Sequence, residues 1–298
     1  MDDELKAIRA ERYKRAMEIS GPVVKRQRTE FAVLTWNVDG LDCERPPEDI
    51  ALRSVAVCEV IINHLPVAVL LQEVIDVTLN LFIKALGSQY HFHKQDTPSQ
   101  PYFVVILTLK SELRPLSVET VTFANSSMGR AMLGVKVELI FKPGQYLYFA
   151  TAHLESGRET SAERKVQLRE ASEICATIGW PSVFGGDMNL RDYEVKDNLN
   201  KMMIDVWENC GKENDTEYTW DTLLNDNVCL EGKKPRFRFD RLYTRQLAPS
   251  SFQLVGKDRI SEIGRFPSDH FGILASFRFT CQLFILSILV NVDCAKRL

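Results

Sequence analysis

The sequence predicts an α+β fold in which two mixed β-sheets pack on each other and are flanked by helices. Short apolar stretches rich in β-branched and aromatic residues recur along the chain, separated in some places by helical segments and in others by turns. Strands that follow both helices and other strands favour two packed mixed sheets with helices outside. The 298 residues, 45% of them hydrophobic, suffice for one large core.

The individual elements follow from the same patterns. Strands are expected at Phe31–Leu34, Val67–Leu71, Tyr102–Leu109, Ala131–Leu139, Gln145–His153 and Ser182–Gly185. A helix begins at Pro46–Asp49, since an acidic first turn precedes apolar residues there, and a second helix is expected over Ser161–Ile178. The first helix lies between two strands, which is consistent with packing on a sheet face.

The chain divides into a charged N-terminal extension (1–30), a single globular domain (31–280) and an atypical C-terminal tail (281–298). Asp3–Ile19 has the pattern of a charged helix, and Lys25–Arg28 is either a nuclear-localisation signal or a solvated basic patch. The ten apolar residues Cys281–Val290 are too few to span a bilayer. They predict either an additional strand or an unpacked end.

Composition favours an intracellular protein. The first residues are acidic rather than apolar, which argues against a signal peptide. The seven cysteines include no C-x-x-C pair, so neither a disulfide framework nor a zinc site is indicated. A net charge of −3 argues against a broadly basic surface, so any contact with DNA must be local.

Four short polar clusters are the most informative motifs, and each is expected to close a strand. They are Thr35–Asn37, Leu71–Glu73, Gly186–Asn189 and Ser268–His270. Strand ends that carry Asn, carboxylate and His side chains can converge at one sheet edge. Carboxylate and amide oxygens suit Mg²⁺, and imidazole suits the charge on phosphoryl oxygens. Together the clusters predict a metal-assisted phosphoesterase.

Each residue type suits a step of phosphodiester hydrolysis. Glu73 is the candidate Mg²⁺ ligand, because Mg²⁺ takes only one or two protein carboxylates. Asn37 can donate to a phosphate oxygen or accept from a metal-bound water. Asp187 can act as the base or orienter of the attacking water, and Asn189 can hold that water or the phosphate.

The histidines divide into two groups. His153 and His270 lie in polar clusters and are expected to donate to the phosphorane, and Asp240 is expected to orient His270 through its far ring nitrogen. Asp269 belongs to the same catalytic cluster as His270. The other three, His64, His91 and His93, are expected to be structural.

Every one of these motifs has a structural explanation when taken alone. A Glu after Leu-Gln is commonly a surface carboxylate, Asp-Met-Asn is commonly an Asx turn, and a lone His is more often structural than catalytic. Their joint occurrence in this order favours the functional interpretation.

The longer strings around these motifs resemble the endonuclease/exonuclease/phosphatase superfamily, which has the DNase I-like fold. These strings are Leu34–Gly40, Leu71–Val74, His153–Ser156 with Arg158, Gly186–Asp192, Tyr218–Thr222, Arg238–Arg241 and Arg265–His270. Among its branches, they resemble the tyrosyl-DNA phosphodiesterases that act on 5′ ends. Family members commonly carry a small helical domain ahead of the catalytic one, for which the first thirty residues are too few.

The resemblance implies a DNase I-like four-layer catalytic domain over 31–280 and a Mg²⁺ ion, with Mn²⁺ as a substitute, held by Glu73 and Asp187. It implies hydrolysis of 5′-phosphotyrosyl–DNA bonds in DNA repair, which releases a trapped topoisomerase and leaves a 5′-phosphate. The partners would be single-stranded or frayed 5′ DNA ends that bear topoisomerase tyrosine adducts. The protein would be a monomer without membrane contact, in the nucleus and also in the cytoplasm.

The resemblance also implies a groove for the 5′ end of single-stranded DNA. Its expected lining is Tyr102, Ser156, Arg158, Arg191, Trp220 and Phe239. Aromatic faces such as those of Trp220 and Phe239 can stack on bases, although both residues could instead belong to the core. Trp36 should point away from Asn37 along the strand and lie in the core.

Three alternatives remain, one of which is that the atypical C-terminal tail prevents stable folding. A sibling phosphoesterase, such as an abasic endonuclease, a deadenylase or an inositol-phosphate phosphatase, would share the core motifs. An inactive adaptor would not need Glu73, Asp187 and His270 all to be intact.

Overall fold

The computed structural model describes residues 30–42, 47–96, 98–228 and 230–279. The predicted helix Asp3–Ile19, the basic patch Lys25–Arg28 and the apolar run Cys281–Val290 lie outside the described residues, so they stay predictions.

Fourteen strands are present in the described part of the chain. They are β1 (Glu30–Asn37), β2 (Ala68–Ile75), β3 (Tyr90–Lys94), β4 (Tyr102–Leu109), β5 (Leu113–Thr122), β6 (Ala131–Leu139), β7 (Tyr146–His153), β8 (Ser182–Asp187), β9 (Ile204–Asp205), β10 (Trp220–Asp221), β11 (Arg236–Phe237), β12 (Asp240–Arg245), β13 (Leu247–Val255) and β14 (Gly272–Phe279). The helices are α1 (Pro47–His64), α2 (Asp76–Leu86), α3 (Ser161–Thr177), α4 (Asp192–Val195) and α5 (Val206–Asn209), with a 3₁₀ turn at Asn214–Thr216. In the described residues no helix is both long and apolar enough to cross a membrane.

The strands form two six-stranded mixed sheets, which confirms the predicted fold class. The first sheet has the order β13-β14-β1-β2-β4-β3, the second has the order β5-β6-β7-β8-β12-β9, and β10 and β11 form a separate two-stranded sheet. Buried residues from both sheets, among them Val33, Ile106, Val135 and Phe149, form one apolar cluster between them. The first sheet also packs on α1 and α2, and the second on α3, so the molecule has four layers.

All six strands expected from the sequence are present, and several others were missed. β5 (Leu113–Thr122) contains a proline and is mostly exposed, and β12 (Asp240–Arg245) carries three charged residues, so neither gives a clear apolar pattern. The helix over Ser161–Ile178 is confirmed to within one residue. Trp36 is fully buried, as expected.

Strand direction decides which residues meet at one edge of the sandwich. β1 is parallel to β2, and β7 is parallel to β8, so the carboxyl ends of these strands lie side by side. β12 runs antiparallel to β8 and β14 runs antiparallel to β1, so the starts of β12 and β14 lie at the same edge.

The prediction that Ser268–His270 closes a strand is wrong. These residues lie just before β14, which begins at Gly272. They still reach the site, because the first residues of an antiparallel strand lie beside the last residues of its neighbour. The pairing of Thr35 with Ile273 fixes this arrangement.

Candidate active site

Asn37, at the end of β1, joins two carboxylates at the centre of this edge. Its Nδ2 donates to Glu73 Oε1 and to Asp187 Oδ2, both at 3.0 Å. Its Oδ1 accepts the backbone N–H of Asp39 at 3.0 Å. The amide that was expected to donate to a phosphate therefore holds Glu73 and Asp187 side by side in this structure.

Two site residues adopt left-handed backbone conformations that non-glycine residues seldom adopt. Glu73 has φ 54° at an irregularity in the pairing of β2 with β4, and Asn189 has φ 51° just after β8. Such conformations cost free energy and persist where the surrounding contacts fix them. Here they turn Glu73 and Asn189 out of strand geometry and into the cleft.

The two predicted catalytic histidines face Asp187 from opposite sheets. His153 Nε2 lies 3.3 Å from Asp187 Oδ2, and His270 Nε2 lies 3.8 Å from the same oxygen. His270 Nδ1 lies 2.7 Å from Asp240 Oδ2. Asp240 is therefore placed where it can orient His270.

The surroundings give these histidines opposite charge states. Burial, with a smaller contribution from Arg130, lowers the pKa of His153 to about 3, so its ring is neutral. Burial also disfavours the charged form of His270, but Asp240, Asp269 and Asp187 outweigh it and raise its pKa well above the ordinary value. One ring is thus a neutral hydrogen-bonding group, and the other carries positive charge.

The donor set fits a divalent cation. Burial, together with the nearby Asp269 and Asp187, raises the pKa of Glu73 to about 7, although the hydrogen bond from Asn37 opposes the change. In the described residues neither Glu73 nor Asp187 forms an ion pair with Lys or Arg. Ligand atoms of Glu73, His153 and Asp187 all lie within 4.8 Å of one another. Carboxylates without a Lys or Arg partner are the kind of ligand that Mg²⁺ takes.

A cleft of about 570 Å³ opens above this centre. The sequence-predicted residues that line it are Glu73, Tyr102, His153, Ser156, Asp187, Asn189, Trp220, Phe239 and His270. Residues missed by the sequence reasoning also line it: Leu41, Gln100, Ser127, Met128 and Arg130. Ser127, Met128 and Arg130 belong to a loop without apolar periodicity or a recognised motif, so only their position in space identifies them.

Aromatic rings form one rim of the cleft. The rings of Phe237 and Phe239 stack at 4.7 Å between centroids, and Trp220 lies 5.7 Å from Phe239. The Arg191 guanidinium lies 5.3 Å from the centre of the Phe239 ring, so Arg191 reaches the rim although it does not line the cleft. Trp220 and Phe239 are partly exposed rather than buried in the core.

Two further predicted residues lie outside the cleft lining. Asp269 accepts a hydrogen bond from Trp220 Nε1 at 3.0 Å, so it contacts the aromatic rim. Arg158 is exposed and does not line the cleft. The turn at Gly157, with φ 92°, directs the chain toward α3 immediately after Ser156.

The fold and this site define a class of phosphoesterases. The chain belongs to the endonuclease/exonuclease/phosphatase family, whose model matches residues 34–270. It is 37% identical over 264 residues to tyrosyl-DNA phosphodiesterase 2 of Gallus gallus, covering 84% of this chain and 67% of that protein. With the Xenopus laevis protein of the same name it shares 35% identity over 289 residues, covering 92% of this chain and 73% of that one.

Solved structures agree. The crystal structure of Danio rerio TDP2 complexed with single strand DNA product is 33% identical in sequence, with a TM-score of 0.77, and covers 84% of this chain and 100% of that one. Truncated Caenorhabditis elegans TDP2 is 34% identical, with a TM-score of 0.75, and covers 84% of this chain and 98% of that one. A Bacteroides vulgatus endonuclease/exonuclease/phosphatase, at 18% identity and a TM-score of 0.66 over 85% of this chain and 100% of that one, shares the fold.

Proposed function

We propose that this chain is a divalent-metal-dependent phosphodiesterase that hydrolyses 5′-phosphotyrosyl–DNA bonds, leaving a 5′-phosphate and freeing the tyrosine of a trapped topoisomerase. The observation that carries the proposal is the joint placement of the Asn37–Glu73–Asp187 centre and the aromatic rim in one cleft. The similarity to tyrosyl-DNA phosphodiesterase 2 supports the same substrate class.

Glu73 and Asp187 are the residues that would hold the metal. Mg²⁺, or Mn²⁺ in its place, would supply positive charge to the phosphoryl oxygens when bound there. The described residues provide no Lys or Arg partner for these carboxylates, which is consistent with a cation as their counter-charge.

The attacking water is assigned to Asp187 and Asn189. Asp187 is fixed at both oxygens, since Oδ1 accepts the Asn189 N–H at 3.0 Å and Oδ2 accepts from Asn37. A carboxylate held in this way can orient a water and accept its proton. The water oxygen bonds to phosphorus as the bond from phosphorus to the tyrosyl oxygen breaks.

Stabilisation of the phosphorane is assigned to the histidines. Positively charged His270, oriented by Asp240, can donate an N–H to a non-bridging oxygen, and neutral His153 can donate one as well. The leaving tyrosine has a conjugate-acid pKa of about 10, far below that of an alkoxide, so its departure needs little proton donation. This fits a site whose described residues include no Lys in the cleft lining.

The aromatic rim favours an unpaired DNA end. Stacking on Trp220 or Phe239 requires an exposed base face, which a single strand or a frayed end offers and an intact duplex does not.

We propose the nucleus, with a cytoplasmic pool, as the location and the monomer as the active form. A fluorescent fusion with Lys25 and Arg26 replaced by Ala would test the location.

Matched oligonucleotides test the function. With Mg²⁺, kcat/KM should be highest for a single-stranded 5′-tyrosyl oligonucleotide and low for 3′-tyrosyl and abasic-site substrates, and Asp187→Asn should be inactive on all three. A preference for the abasic duplex would assign the chain to a different branch of its family. A folded wild-type protein that binds the DNA without cleaving it would favour the adaptor.

A further inference from the structure

Residues 123–130, which connect β5 and β6, form one wall of the cleft. No recognised sequence motif marks this loop. It brings Ser127, Met128 and Arg130 to the cleft. Arg130 is 7% exposed, and its guanidinium lies 5.1 Å from the centre of the Tyr102 ring. It is close enough to His153 to lower the pKa of that ring. The loop therefore supplies positive charge beside the catalytic centre.

A buried carboxylate, Glu155, holds this loop in place. Its Oε1 accepts from the Ser127 N–H at 2.8 Å, the Ser127 hydroxyl at 2.7 Å and the Met128 N–H at 3.0 Å. Its Oε2 accepts from the Ser126 hydroxyl at 2.7 Å. Glu155 is 0% exposed and does not line the cleft, so its carboxylate acts on the site through the loop that it holds.

Helix α3 in turn fixes Glu155. Gln167 Nε2 donates to Glu155 Oε2 at 3.0 Å, and Gln167 Oε1 accepts the Glu155 N–H at 2.9 Å. Arg164 Nη1 donates to the Glu155 carbonyl oxygen at 2.8 Å. Both α3 residues are 0% exposed. Asn125 of the loop also donates to the Glu163 carbonyl oxygen at 3.0 Å, so the loop is attached to α3 both through Asn125 and through the Glu155 carboxylate. The Glu155 carboxylate is the attachment that holds Ser126, Ser127 and Met128.

The loop also depends on its own serine. The Ser126 hydroxyl donates to Glu155 Oε2 and accepts the backbone N–H groups of Met128 at 3.2 Å and Arg130 at 2.8 Å. Two consecutive hydrogen bonds therefore fix the Arg130 backbone relative to Glu155: the Ser126 hydroxyl donates to Glu155, and the Arg130 N–H donates to the Ser126 hydroxyl.

We propose that Glu155 is a positioning residue which sets the place of Arg130 at the cleft and, through Arg130, the affinity of the site for the phosphodiester. This inference rests on the proposed function only in taking a phosphodiester as the substrate. Glu155→Gln replaces one acceptor oxygen by an NH₂ donor, and each carboxylate oxygen has at least one N–H donor as a neighbour, which cannot accept from that NH₂. The loop must shift, and a shift of about 1 Å can lower kcat/KM on the order of 10²-fold.

A double-mutant cycle tests whether Glu155 acts through Arg130. Glu155→Gln and Arg130→Ala should each lower kcat/KM, mainly by raising KM, and the double variant should lie within about twofold of Arg130→Ala alone. Thr244→Val is the matched control. It removes a buried hydroxyl that donates to the Ser182 carbonyl oxygen at 3.0 Å, remote from the loop, so it should leave kcat/KM unchanged alone and in combination with Arg130→Ala. Losses from Glu155→Gln and Arg130→Ala that multiply would overturn the proposal.

Amide hydrogen exchange gives a readout that does not need activity. In Glu155→Gln the N–H groups of Ser127 and Met128 should exchange at least about tenfold faster than in the wild type. The amides of β6 should stay protected, because a loop can open locally without global unfolding. Unchanged exchange at both amides would overturn the proposal. If Glu155→Gln does not fold, Ser126→Ala takes its place in the cycle, because it breaks the connection from Glu155 to Arg130 at a half-buried position. Exchange is then followed at the Arg130 N–H, which loses its acceptor in this variant, and unchanged exchange there would overturn the proposal.

Two substrates keep this test separate from that of the proposed function. The cycle is run on the 5′-tyrosyl oligonucleotide and on bis(p-nitrophenyl) phosphate, each with Mg²⁺. A wild-type protein inactive on the oligonucleotide contradicts the proposed function, whereas the cycle on the small diester still decides the role of Glu155. If neither substrate is turned over, the exchange rates of Ser127 and Met128 decide it.

Discussion

His270 Nδ1 and Asp240 Oδ2 lie 2.7 Å apart, although the two residues come from different sheets. Asp240 is the first residue of β12 in the second sheet, and His270 precedes β14 in the first. The Ser268 hydroxyl fixes the His270 backbone by accepting its N–H at 3.1 Å and donating to the Asn37 carbonyl oxygen at 2.6 Å. The charged state of His270 therefore depends on the packing of one sheet on the other.

Replacing Asp240 by Asn tests this relationship. The new amide carries no negative charge, so it cannot stabilise a positively charged His270 imidazole. It can also donate a hydrogen bond to Nδ1 instead of accepting one, which permits the ring tautomer with its proton on the other nitrogen. We expect kcat on the 5′-tyrosyl oligonucleotide to fall by on the order of 10²–10⁴-fold with little change in KM. Asp258→Asn, at an exposed carboxylate, is the control. An unchanged kcat in the Asp240 variant would show that His270 does not need this partner.

Glu73→Gln tests the metal site. Addition of Mg²⁺ should raise the Tm of the wild-type protein, because an ion that binds only the folded state stabilises it. The variant should lose most of that rise, and its turnover should fall by on the order of 10²-fold or more. Mn²⁺ should give the same pattern. Glu231→Gln, at an exposed position, should respond to both ions as the wild type does. A normal Mg²⁺ response of the Glu73 variant would contradict the assignment.

Trp220→Ala tests the aromatic rim. Loss of one base–aromatic stack should weaken binding of a single-stranded 5′ end by roughly 1–3 kcal/mol. Trp220→Phe should recover most of the affinity, since it keeps an aromatic face, although it loses part of the ring area and the hydrogen bond to Asp269. Binding is measured with Asp187→Asn as the background to prevent cleavage. Trp180→Ala, where the ring packs on Tyr146, is the control, and equal losses from Trp220 and Trp180 would argue against a specific stack.

Gly40→Ala tests the close approach of two backbones beneath the site. A Cβ at Gly40 would lie 2.2 Å from the Glu73 carbonyl oxygen, which also accepts the Gly40 N–H at 3.2 Å. Because the contact is with backbone, Glu73 must move. The free energy of unfolding should fall by about 1–3 kcal/mol and the Mg²⁺-induced rise in Tm should shrink.

The comparison variant for that experiment is Gly144→Ala. Gly144 has φ 84° with no atom within 4 Å of an added Cβ, so the change strains the backbone without a clash. It should lower stability and leave the Mg²⁺ response intact. A full Mg²⁺ response in both variants would mean that the Gly40 contact does not position Glu73.

His93 should make stability depend on pH. Burial, with a smaller contribution from His91, lowers its pKa in the folded protein to about 4, and its Nε2 lies 3.0 Å from the Thr108 hydroxyl. In the unfolded chain the His93 imidazole has a pKa of about 6.5, so as the pH falls it is protonated there before it is protonated in the folded protein. The contribution of neutral His93 to the free energy of unfolding is therefore present above about pH 6.5 and is lost as the pH falls toward 4.

Thermal unfolding from pH 7 to 4 provides the measurement. His93→Gln should show a smaller fall in Tm over this interval than the wild type. His64→Gln, at an exposed residue, should keep the wild-type pH dependence. If His93→Gln also keeps the wild-type dependence, another group is responsible for it.

Much of the site could be predicted because strand ends carry local signals. Asn37 and Asp187 are the last residues of β1 and β8, and Glu73 lies near the end of β2. Apolar strands of this kind can be predicted from the sequence pattern alone. Ser268–His270 was wrongly assigned to a strand end, since only pairing with β1 shows that it opens β14. The family resemblance placed Arg158 in the groove, whereas in the structure Arg158 is exposed, follows the turn at Gly157 and lies outside the cleft lining.

The sequence by itself determined the layered α+β fold, the polar residue types at the sheet edge and the chemistry that they suit, because these depend on periodicity and on side-chain functional groups. The tertiary structure decided the charges and the partners. Burial and neighbouring carboxylates make His153 neutral and His270 charged. Contacts over 28 or more positions in sequence connect Glu155 to Ser127 and Asp240 to His270. Such contacts depend on sheet packing and loop closure, which no local pattern of residues records.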